Sequence, residues 1–144
     1  MSIKKVQKIN TKLCTNCYSP IYLKVNLSYF NNKNIEKIDK NLKKEYKTQL
    51  FNRLLDLSKE SYLQLLSRRK NIGIEFEDIE KLNISVEIPN EFEKRFRNTD
   101  YNNKIAITRL CTNDNPYFAR IIGIIINKIY YIFYLDINGT TYKH

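Results

Sequence analysis

Four soft metal-ligand candidates are scattered through the chain: the pair in Cys14-Thr-Asn-Cys17, then Cys111, and His144 as the final residue. A CxxC knuckle supplies two of the four ligands of a tetrahedral zinc site. The other half shows no such spacing, so reduced thiols are the simpler reading and neither a metal nor any other cofactor is expected. A redox CxxC would open a helix, whereas here a polar arm leads into a strand. With one histidine in the chain, a Ser-His-Asp or Cys-His set would hang from the terminus. No glycine-rich phosphate loop is present, and Glu75, Glu77, Asp78 and Glu80 crowd one short segment in the manner of a solvated face. What remains is arginine, lysine and tyrosine. Of the 11 tyrosines, Tyr22, Tyr130 and Tyr134 fall by alternation on the solvent side of their strands, where rings beside cations can stack exposed bases. Rings buried under helices with their hydroxyls at the rim are the competing reading, and the favoured one for most of them.

Charge narrows the partner class. The net charge is +10, and residues 1–72 hold 16 basic and 5 acidic groups against 9 and 10 in the remainder, so the whole excess lies in the first half. A one-sided positive field suits a polyanion, because cations that neutralise phosphates release condensed counterions. Lys43, Lys44 and Lys47, with the run Arg68-Arg69-Lys70, are the candidate nucleic-acid contacts. The competing reading is a lysine-rich surface that keeps the protein in solution, with the Arg68–Lys70 run complementing the negative end of a helix dipole.

The elements that must carry these groups follow from periodicity. A length of 144 residues with 42% hydrophobic content fits one domain, 21–144, behind a basic arm of residues 1–20. Ile21 to Phe30 alternates as a half-buried strand. Ile35, Ile38, Leu42, Tyr46, Leu50, Leu54 and Leu57 form one helical stripe, and a second helix is expected over 59–70 with Ser58 as its cap and Gly73 as its stop. Glu75 to Lys81 reads as a loop or short turn. Ile84 to Ile88 and Ile105 to Arg109 alternate as strands, with a short helix between Asn90 and Asn103. Two strongly β-prone runs, Phe118–Ile126 and Lys128–Asp136, join at Asn127-Lys128 as a hairpin, the second presenting Ile129, Tyr131, Phe133 and Leu135 on one face. Asn138-Gly139 turns the chain toward a last edge element at Thr140–Tyr142. The expected fold is α+β, an antiparallel sheet of four to five strands with two helices packed on one face. The longest apolar run is far below the roughly 20 residues that span a bilayer. The basic, polar start carries no secretory core, so no membrane partner and a cytoplasmic location are expected. Abundant Lys, Asn, Ile and Tyr suggest an AT-rich coding genome, as in low-GC bacteria and their mobile elements.

The run Ala119-Arg-Ile-Ile-Gly, then Ile129-Tyr-Tyr-Ile-Phe-Tyr-Leu-Asp136, a turn and Tyr142, preceded by a helix pair, resembles the RelE/HigB/ParE-like toxin superfamily. The resemblance covers residues 35–144 as topology and the last strands as pattern. It implies a small basic toxin of a bacterial or phage mobile element, a metal-independent endoribonuclease that cuts messenger RNA, with RNA or the ribosome as target and an antitoxin protein as partner. Arg109 and Arg120 would supply the cations that stabilise a phosphorane-like transition state, and Tyr142 stands where those toxins carry a C-terminal tyrosine. Family members commonly have a basic residue ahead of that tyrosine, where this chain reads Asp136-Ile-Asn-Gly-Thr-Thr. The alternative is therefore a non-enzymatic, phage-encoded inhibitor, anti-defence or anti-CRISPR-like, that uses its basic half to occupy a nucleic acid or nucleoprotein defence complex.

Overall fold

β-Branched and aromatic residues dominate Arg120–Ile126 and Ile129–Asp136, and these two segments form the central hairpin of the sheet, strands β4 and β5. Asn127 and Lys128, at φ 50° and 61°, close it as a two-residue turn whose left-handed conformation matches the twist of the strands. The computed structural model describes residues 20–70, 72–81, 88–111 and 119–139. Around the hairpin lie β1 (Lys24–Asn26), β2 (Glu75–Asp78) and β3 (Lys104–Arg109), giving one open five-stranded sheet in the order β1-β5-β4-β3-β2. The fold is α+β. β2, β3, β4 and β5 pair antiparallel as expected, but β1 runs parallel to β5, with Lys24 opposite Ile129, so the sheet is mixed. The helices between β1 and β2 carry the chain to the far edge and leave β1 beside the last strand.

The helical stripe is divided. α1 (Lys33–Glu36) stops, and α2 (Lys40–Lys59) starts anew because the Asp39 carboxylate accepts the Asn41 amide at 2.9 Å. α2 runs through Ser58, whose hydroxyl turns back to the Leu54 carbonyl at 2.7 Å and caps nothing. The cap of α3 (Tyr62–Ser67) is Ser61, in a capping box with Gln64. The second helix therefore ends at Ser67, and Arg68, Arg69 and Lys70 lie beyond it, outside a last helical turn. The chain folds back there, with the Ile74 amide reaching the Leu65 carbonyl at 3.3 Å. Gly73 approaches that carbonyl so closely that a Cβ would collide with it.

Two further expectations are corrected. The first strand contracts to Lys24–Asn26, since Leu27–Phe30 forms a turn closed by the Phe30 amide on the Leu27 carbonyl at 3.0 Å. Of the acidic segment expected as a loop or short turn, Glu75–Asp78 is instead the edge strand β2, and a 3-10 turn follows at Ile79–Lys81. Its carboxylates are tolerated because each finds a lysine: Glu75 with Lys70 at 2.9 Å, Glu77 with Lys81 at 2.7 Å, and Asp78 with Lys104. The arm up to Ser19, the strand expected from Ile84, and the edge element at Thr140–Tyr142 lie outside the described residues.

Both faces of the sheet are covered. Ile35, Tyr46, Leu50, Leu57 and Leu65 from α1, α2 and α3 pack on Ala106, Ile121, Tyr130 and Ile132. The short helix expected after Asn90, α4 (Asn90–Phe96), lies on the opposite face, where fully buried Phe92 meets Ile105, Ile107, Ile122, Tyr131 and Phe133. Burying one such ring contributes roughly 2–3 kcal/mol. A bulge between Ile122 and Gly123 interrupts the alternation of β5. Phe133 and Tyr134 therefore both pack with the α4 face, and Leu135, expected beside Tyr131 and Phe133, joins the opposite core. Gly123 is needed at the bulge, since a Cβ there would meet the Tyr131 carbonyl oxygen and stand 2.9 Å from Ile132 Cα.

Candidate functional site

The register of the three central strands places charged groups in one row at the end of the sheet. Arg109 of β3 stands opposite Arg120 of β4, and Arg120 stands opposite Asp136 of β5. One step inward, Ile107, Ile122 and Tyr134 form the next row, and the first two belong to the core under α4, so the charged row is on the α4 face. Arg109 and Arg120 are half-buried, while Asp136 is only 3% exposed. Two guanidinium-bearing residues directly across from one another repel unless an anion lies near. Asp136 brings a negative charge into the row opposite Arg120. The Arg120 guanidinium reaches toward the turn after β5, where Gly139 sits at φ 66° and a Cβ would stand 3.8 Å from Nη1.

Tyr134 adds a hydroxyl beside this row. Its oxygen is buried and has no hydrogen-bond partner among the described residues. Burial first, and then the Asp136 and Tyr130 charges, push its titration far above the usual phenol range, so it stays protonated. Tyr130 is fully buried on the other face, its hydroxyl 2.9 Å from the carbonyls of Ala106 and Ile121, and cannot stack a base. Tyr22 is exposed at the β1 end, bridged to Ser61. The three tyrosines read as a solvent-side set thus occupy three different environments.

Sequence reasoning missed Arg53. This α2 side chain is 5% exposed; its Nε donates to the Arg109 carbonyl at 2.8 Å and its Nη2 to the Ile72 carbonyl. It fastens the strand end that bears Arg109 from the helical side of the sheet. Burial lowers its proton affinity, while Asp56 and Glu60 work in the other direction. The signal was available: Arg53 falls three residues after Leu50 and four before Leu57, on the buried arc itself.

The basic candidates do not form one open patch. Lys43 and Lys47 both bind Glu36, at 2.7 and 3.3 Å, Arg68 binds Glu60 at 2.7 Å, and Lys70 binds Glu75 at 2.9 Å. Lys44 and Arg69 are exposed without an ion-pair partner among the described residues. Cys111 is a free thiol 3.9 Å from the Gln49 side-chain oxygen, raised in pKa chiefly by burial. No three potential metal ligands come together among the described residues. Cys14, Cys17, Tyr142 and His144 lie outside them. No helix among the described residues is long and apolar enough to cross a membrane. No family model matches the chain, and neither a curated protein nor a solved structure matches it.

Proposed function

We propose that this chain is a toxin-like, RNA-directed protein of a bacterial or phage mobile element, a metal-independent endoribonuclease acting on messenger RNA through the Arg109–Arg120 row. The observation that supports it is the direct cross-strand opposition of Arg109 and Arg120, with Asp136 on the far side of Arg120. Two guanidinium groups from adjacent strands match the non-bridging oxygens of one phosphodiester. Attack by the neighbouring ribose 2′-oxygen on phosphorus, with departure of the 5′-oxygen, builds negative charge on those oxygens, which is where fixed cations contribute most. In this reading Asp136 directs Arg120, Arg53 holds the Arg109 strand end, and Tyr142 assists proton transfer as the family resemblance implies.

The test is induced expression in a bacterial host, comparing wild type with Arg120→Ala and Tyr142→Phe variants of equal solubility, following growth and messenger RNA integrity. Growth arrest with cleaved RNA, lost in the variants, is the expected result. Normal growth with intact RNA rejects the nuclease. The second reading, a binder of a nucleic acid or nucleoprotein complex that does not turn over, is favoured by Asp136-Ile-Asn-Gly-Thr-Thr, which places no cation ahead of Tyr142. It predicts RNA binding by the purified protein with no cleavage.

A further inference from the structure

The solvent face of α2 carries a stripe that the fold does not use. Lys40, Lys44, Lys47, Phe51 and Leu55 recur at steps of four, three, four and four, which keeps them on one line about 130° round the helix from the buried arc of Tyr46, Leu50, Arg53 and Leu57. At 1.5 Å per residue the line is about 22 Å long. Phe51 is 62% exposed and Leu55 42%, an aromatic and an aliphatic side chain one turn apart that are members of neither core. No acid falls on the line: the acids within α2, Glu45 and Asp56, point about a hundred degrees round the helix. Lys47 reaches Glu36 yet keeps 53% of its side chain exposed.

We propose that this stripe docks an acidic, amphipathic segment of a partner protein, its carboxylates along Lys40, Lys44 and Lys47 and its apolar side chains on Phe51 and Leu55. Charge complementarity selects that occupant. A second copy of this chain would set lysines against lysines in one orientation and against Phe51 and Leu55 in the other, leaving ammonium groups on apolar surface. A nucleic-acid strand would gain the three cations but nothing from Leu55, which offers no ring for base stacking. A helix lying in a membrane surface separates its cations and apolar groups around the axis. Here they are separated along it, so only the C-terminal half would be buried. The inference stands apart from the RNA reading, because α2 packs on the face of the sheet opposite Arg109 and Arg120.

The test uses the full chain and two labelled synthetic helical peptides of about sixteen residues. One bears glutamates along one half of a face and leucines along the other; the second has the same composition with the two types interleaved around the helix. Fluorescence anisotropy should show the segregated peptide binding at least about tenfold tighter, and Phe51→Ser with Leu55→Ser should remove about tenfold of that affinity. Lys44→Glu should weaken it separately, which keeps the test alive if the apolar double variant does not fold, and amide exchange should slow over residues 40–55 on binding. Equal affinity for both peptides, no binding of the segregated one, or a double variant that binds like wild type overturns the proposal. So does the result that Phe51 and Leu55 govern binding to phosphatidylserine vesicles and not to the peptide.

Discussion

Arg53 and Gly123 are single residues on which the arrangement of the site depends. Arg53→Leu removes the donors to two carbonyls, those of Arg109 and Ile72, in a place that water reaches poorly. Stranding buried acceptors costs about 1–3 kcal/mol each. Arg53→Leu should therefore lower unfolding free energy by about 2–4 kcal/mol in urea titrations, and Arg53→Lys, which cannot span both carbonyls in a fork, should not restore it. An unchanged urea midpoint would reduce Arg53 to packing. At Gly123 the added Cβ of alanine meets backbone, not the flexible end of a side chain. Gly123→Ala should cost at least about 2 kcal/mol and broaden the amide spectrum of β4 and β5. Arg53 was legible only through its spacing on the helix, and the role of Gly123 was not legible at all. Arg53 reads as one more charge on a charged helix until its place on the Leu50–Leu57 arc is noticed, and the bulge that requires Gly123 leaves no mark in the unbroken apolar run around it.

Elements were legible where one force dominated. β4, β5 and their Asn127-Lys128 turn follow from continuous β-prone residues and two positions that take positive φ. β2 was not legible, because four residues with three carboxylates form a strand only when lysines from three other places, Lys70, Lys81 and Lys104, are brought beside them. The charged row was half legible: Arg109 and Arg120 could be put on strands, but their opposition, and Asp136 across from Arg120, depend on register. Ion pairs that tie elements together also fix the acid limb of stability. Hydrogen bonds from Lys43 and then Lys47 hold Glu36 below its ordinary 4.5, and Lys104 holds Asp78 below 3.8. A carboxyl depressed in the folded state contributes its full stability above the unfolded value and loses it as pH falls through the depressed one. The melting temperature should therefore decline below about pH 5, and the decline should be shallower for Glu36→Gln with Asp78→Asn. Because these groups are exposed, high salt should shrink the difference between variant and wild type. A double variant with the wild-type acid profile at low salt would deny these pairs any part in it. On α3, Ser61→Ala should cost about 1 kcal/mol by removing the capping box, read as a lower urea midpoint at constant slope.

For the whole molecule, a net charge of +10 overstates the cations available to a polyanion. Lys43, Lys47, Arg68 and Lys70 already face carboxylates, and a cation so paired would exchange one anion for another on binding any polyanion, with little net release of counterions. Arg109 and Arg120 stand with Asp136 in one cross-strand row at the end of the sheet. If they are the phosphate contacts, two neutralised phosphates on a single strand give a slope of log affinity against log salt of about −1.4, far shallower than the slope near −4 that six open cations would give. Measured with a short single-stranded RNA across a range of salt, the slope should lie nearer the first figure. Arg109→Gln or Arg120→Gln should each reduce it by about 0.7, and Lys43→Gln should leave it unchanged. A steep slope that Lys43, Lys44 and Lys47 substitutions flatten would move the interface from the end of the sheet to the helices, and with it the residues to which any turnover could be assigned.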